Sequence, residues 1–83
     1  MDYENIYTKD LQKLGEKIRG MREQKGYSQE ILGFKAGLHR NYISSLELAQ
    51  KNPTYTTLIK LARALEVRVQ ELIPEEKKYD TKD

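Results

Sequence analysis

SQEILGFKAGLHRNYISSLELAQKNP, residues 28–53, is the stretch whose reading decides the fold. Ser28 is a residue type that caps helix N-termini, and Glu30 falls in the first turn, where the positive end of the helix dipole favours a carboxylate. Ile31 and Leu32 are expected to face inward, with Ala36 completing the buried side. Gly37 then ends a short helix, because glycine adopts left-handed backbone without a Cβ penalty. Leu38 turns back to the core. Another helix is expected from about His39 to Ala49, with Ile43 and Leu46 inward at i and i+3. Residues 49–53, AQKNP, read as a loop, since the residue before a proline is driven out of the helical region.

Helical periodicity also dominates on both sides of this segment. Leu11, Leu14, Ile18 and Met21 recur at spacings of three and four, which predicts a first helix over about Lys9 to Gln24, stopped at Gly26. Gly15 and Gly20 lie inside it and each cost about 1 kcal/mol relative to alanine, so packing and not propensity must hold it. A fourth helix starts at Pro53 or Thr54 and runs to about Leu65, with Tyr55, Leu58, Leu61, Ala62 and Leu65 on its buried face. A short fifth runs from about Arg68 to Ile73, and Pro74 ends it. The expected class is all-α with five helices. The expected organisation is an extension over 1–8, one helical domain over 9–73 and a charged tail over 74–83.

Eighty-three residues form one domain, small enough that dimerisation would help to stabilise it. Without cysteine there is no disulfide framework and no thiolate metal site. The acidic, polar start MDYENIYTKD is not expected to be a signal peptide, and no apolar run approaches the roughly 20 residues that span a bilayer. A cytoplasmic setting, in a bacterium or encoded by a phage and associated with the nucleoid, is expected. The net charge of +2 is modest, but residues 9–51 carry nine Lys/Arg against five Asp/Glu, a local +4. That bias favours a polyanionic partner. No phosphate loop, carboxylate pair or cysteine nucleophile occurs, and His39 is the only histidine. An enzyme, a metal site and a cofactor site are therefore not expected, and His39 reads as a surface or capping residue.

The residues around Gly37 suit duplex DNA. A major groove about 12 Å wide accepts one α-helix. With Ile43 and Leu46 anchored inward, Arg40, Asn41, Ser44 and Ser45 are left on the opposite side or its flanks. Arginine pairs bidentately with guanine and asparagine with adenine, so Arg40 and Asn41 are candidate base contacts. Tyr42 is able either to stack or to bond a phosphate. The N-terminus of the preceding helix, at Ser28 and Gln29, offers free N–H groups that suit a phosphate. Val67, Val69, Leu72 and Ile73 admit two explanations, closure of one subunit's core or a symmetric contact surface.

The stretch GYSQEILGFKAGLHRNYISSLELAQKNPTYTTLIKLARALEV resembles the Cro/repressor-type (XRE-like) helix-turn-helix family. Within it, GLHRNYISSLELAQKNPTYTTLIKLARAL is similar to the controller proteins of restriction–modification systems. The resemblance covers about Leu11 to Ile73 and implies a five-helix, lambda-repressor-like DNA-binding domain with its helix-turn-helix at helices 2 and 3. It implies a symmetric homodimer on a double-stranded promoter operator, with the dimer contact near Val67, Val69, Leu72 and Ile73. It matches Gln29 to a phosphate-binding glutamine, Arg40, Asn41 and Ser45 to positions that meet bases, Tyr42 and Ser44 to positions near the DNA backbone, Lys51 and Asn52 to a loop that grips phosphate, and Arg22 and Glu47 to an ion pair between helices 1 and 3. Contact with RNA polymerase stays open. Four positions depart from the family pattern: Gly33 for a usual alanine, His39 for a usual capping residue, Leu48-Ala49 for a frequent Arg-Gly, and Arg68 at the cap of helix 5. A phage or mobile-element repressor, an antitoxin, and a helical module that binds protein instead of DNA are the alternatives.

Overall fold

The computed structural model describes residues 6–75, so most of the expected extension and tail lies outside the described residues. Five helices follow one another: α1 (Thr8–Gln24), α2 (Gln29–Ala36), α3 (Arg40–Glu47), α4 (Tyr55–Leu65) and α5 (Val69–Leu72). Each contributes to one core, whose fully buried side chains are Ile18, Leu32, Ile43, Leu46, Leu61, Leu65 and Leu72. The tightest association is between α2 and α3, with α1 against α3 and α4 against α2.

Local chemistry sets the helix ends. Ser28 Oγ accepts from Ile31 N at 3.0 Å, and Thr54 Oγ1 accepts from Thr57 N at 3.2 Å. Arg68, an unusual cap, is compensated from the other direction, because the Glu71 carboxylate accepts from the Arg68 N–H at 3.0 Å. At their C-termini, α1 to α4 all close with the same pair of backbone bonds. For α2 these are Leu38 N to Gly33 O at 2.8 Å and Gly37 N to Phe34 O at 3.3 Å. For α3 they are Gln50 N to Ser45 O at 2.8 Å and Ala49 N to Leu46 O at 3.1 Å. The motif needs one residue in left-handed backbone. Gly37 supplies it at φ +71° without strain, whereas Ala49 must adopt φ +64°. This closure explains why α3 stops at Glu47, short of the expected Ala49.

Gly33 is required by space. A Cβ there would stand 2.5 Å from the Leu38 carbonyl oxygen. Its replacement of alanine lets the α2–α3 turn fold tightly against α2. Gly15 does the same for α1 and α3, since a Cβ would meet the Leu46 and Glu47 carbonyl oxygens at 2.6 and 2.7 Å.

Two core expectations are corrected. Ile31 is 43% exposed. The buried arc of α2 is centred on Leu32, Gly33 and Ala36, and Ile31 lies on the far side of Leu32, next to the exposed Phe34. Tyr55 is 67% exposed. Burial along its stripe falls from Leu65 and Leu61, which are fully buried, to a half-buried Leu58, so the first turn of α4 overhangs the core.

Candidate nucleic-acid interface

The interface is built on the outer side of α3. At about 100° per residue, Asn41, Ser44 and Ser45 lie opposite the buried Ile43 and Leu46, with Arg40 on one flank and Tyr42 on the other. Arg40 and Asn41 are exposed, and Ser44 and Ser45 are half-buried. Among the described residues, none of these four side chains makes a hydrogen bond or ion pair with the rest of the chain. Tyr42 differs, because its ring packs against the core. The helix begins at His39, whose Nδ1 accepts from Asn41 N at 3.0 Å, so the lone histidine spends that nitrogen as a cap.

The N-terminus of α2 meets that of α3. An open cleft of about 600 Å³ is lined by Arg22, Ser28, Gln29, Glu30, Arg40, Asn41 and Ser44. Ser28 Oγ is engaged as the cap acceptor but keeps a hydroxyl proton to donate. Gln29 Nε2 donates one proton to Glu47 Oε1 at 2.9 Å and retains a second. Lys51 and Asn52 are exposed in the loop that leaves α3.

Behind the outer face, Glu47 joins three elements. Its side chain is only 4% exposed. Oε2 accepts from Arg22 Nε at 2.7 Å, and Oε1 accepts from Arg22 Nη2 at 3.1 Å as well as from Gln29. Arg22 also donates to the Tyr27 carbonyl at 2.8 Å. These hydrogen bonds to Glu47 raise the Arg22 guanidinium above its ordinary range and outweigh the burial that would lower it. The guanidinium therefore stays charged, and its two hydrogen bonds to Glu47 fix α3 against α1. Arg22 reaches the cleft, but its guanidinium is committed to Glu47 and Tyr27.

The dimer candidates separate. Leu72 is fully buried inside its own subunit, and Val67 and Val69 are half-buried against the same core. Ile73 is 45% exposed. Only Ile73 of the four presents a large free apolar surface, because α5 closes the core with its single buried leucine. Sequence reasoning did not count Leu48 as a site residue, yet it stands on the outer side of α3. The signal was available: Leu48 is seven residues after Asn41, two helical turns on.

The helix-turn-helix family matches residues 18–72. A helix-turn-helix transcriptional regulator of Sinorhizobium fredii is 42% identical over 65 residues, spanning 77% of this chain and 84% of the relative. The control protein C.SmaI of Serratia marcescens is 45% identical over 60 residues, 72% of this chain and 71% of the relative. Among solved structures, the restriction–modification controller protein C.AhdI from Aeromonas hydrophila superposes with a TM-score of 0.77 at 42% identity, covering 78% of this chain and 98% of that one. The chain belongs to the helix-turn-helix family. Its fold is that of the controller proteins.

Proposed function

We propose that this protein is a sequence-specific DNA-binding transcriptional regulator of the restriction–modification controller type. It acts as a homodimer on a promoter operator and performs no catalysis. The observation that carries the reading is the unpartnered polar face of α3 beside the α2 N-terminus. With its side chains an α-helix is about 10–12 Å across, and a major groove about 12 Å wide admits it. Arg40, Asn41 and Ser45 read base edges there. Ser28, Gln29, Ser44, Lys51 and Asn52 hold phosphates, and the half-buried Tyr42 meets the backbone from the flank of the helix. A two-fold dimer sets two α3 helices about 34 Å apart, one turn of DNA. The exposed Ile73 and the half-buried Val67 and Val69 mark the dimer surface. Leu72 supports it from within.

Footprinting on the DNA upstream of the protein's own gene tests this. Protection of two related half-sites, with affinity that falls steeply as salt rises, is the expected result. A protein-binding module would give no salt-dependent affinity for duplex DNA.

A further inference from the structure

The outer face of α3 does not end with its serines. Leu48 is in near-helical backbone, and its N–H still donates to the Ser44 carbonyl at 3.1 Å, so the helical phase continues through it. At about 100° per residue, its direction falls between those of Ser44 and Asn41, almost diametrically opposite the mean of Ile43 and Leu46. It is 63% exposed. Lone exposed leucines are common and carry no message by themselves. This one sits in the middle of the face that the reading above places in the groove. Ala49 then takes left-handed backbone and turns the chain away, which makes Leu48 the last side chain on that face.

An isobutyl group can neither donate to a phosphate nor pair with a base edge. Pressed against either, it would desolvate a polar group and return nothing. The major groove offers one apolar feature, the C5-methyl of thymine. We propose that Leu48 is a specificity-determining residue that reads a thymine methyl in each half-site. Seven residues separate it from Asn41, a rise of about 10.5 Å, or about three base steps at 3.4 Å each. A helix lying along the groove runs obliquely to the DNA axis, so the thymine lies within about three base pairs of the base addressed by Asn41. The inference rests on α3 entering the major groove.

The test pairs a protein change with removal of the methyl alone. Once the operator is footprinted, each thymine of the half-sites is replaced in turn by deoxyuridine, and Kd is measured for the wild type and for Leu48→Ala. In the wild type, one replacement should weaken binding about three- to tenfold, the worth of a buried methyl or two. Leu48→Ala, which removes the contact from both half-sites, should bind the thymine operator more weakly by about the square of that factor and be indifferent to deoxyuridine at that position in either half-site. Its melting temperature should match the wild type, because the side chain is exposed, so a folding defect is separable. If every deoxyuridine penalty is the same for both proteins, or if none exists, Leu48 reads no methyl. That result with Arg40→Ala still impaired would overturn only this inference. Absence of duplex binding by the wild type would overturn the groove reading and this inference together.

Discussion

The two sides of α3 obey opposite rules. On the inner side, Ile43 and Leu46 are fully buried, and the Glu47 carboxylate accepts three hydrogen bonds from Arg22 and Gln29. On the outer side, the side chains of Arg40, Asn41, Ser44 and Ser45 make no hydrogen bond or ion pair within the described residues, and Leu48 stands in solvent. The inner side is satisfied, so its changes will act on stability. The outer side is unsatisfied, so its changes will act on what the protein binds. The contrast shows how one eight-residue helix can be held rigidly while its recognition surface stays uncommitted.

Changes on the inner side should produce the largest effects. Glu47→Ala leaves a buried guanidinium without its partner and should cost about 3–5 kcal/mol. For a domain of this size, that lowers Tm by more than about 10 °C, and a thermal melt by circular dichroism checks it. A melt close to wild type would break the division between the faces. Arg40→Ala should leave the melt unchanged, cost about 1–3 kcal/mol in operator binding and relax preference at one base position. Unchanged operator affinity would remove Arg40 from the reading set. Lys51→Ala should weaken all duplexes about equally and reduce the slope of log K against log salt by about 1. A loss restricted to the operator would instead place Lys51 among the base contacts.

Two smaller effects sharpen the comparison at the helix ends. Ala49→Gly relieves a left-handed alanine, a strain of about 1–2 kcal/mol, but loosens the unfolded chain by about 0.4–1 kcal/mol. A net gain of up to about 1.5 kcal/mol is expected in denaturant unfolding. Gly37→Ala, at the matching position of α2, should lose stability. The smallest effect belongs to Lys25 and Glu66, which pair at 2.9 Å on the surface. The Lys25 ammonium holds the Glu66 carboxyl below the usual carboxylate range, chiefly by a hydrogen bond. A lowered folded pKa means that the pair's contribution is present above the unfolded carboxylate pKa and fades as pH falls through the folded value. The pair lies at the surface, so added salt should shrink the difference between wild type and Glu66→Gln in melts across that acid range.

Much of the site was legible because the signals are local. Ser28 as a cap, Gly37 as a left-handed closure, and the phase that sets Arg40 and Asn41 against Ile43 and Leu46 each involve residues within a few positions of one another. The misses share a different cause. Tyr55 continues a regular apolar stripe, yet its exposure depends on where the neighbouring helices end. Ile31 is as apolar as Leu32, yet α2 is covered on one side only. Leu72 admitted both explanations from sequence, and only the packing of α5 shows it closing the core.

From sequence alone came the all-helical class, the order and approximate extent of five helices, and the residues able to face a groove. Caps, glycines and periodicity act over one to four residues, and these are all that such features require. Tertiary structure decided the rest. Gly15 and Gly33 are demanded by backbone carbonyls of other segments, and the Glu47 carboxylate is shared between α1 and α2. Core contacts between distant elements separated Leu72 from Ile73. Such contacts join parts of the chain with no local bond between them, so their outcome follows only from how the helices pack.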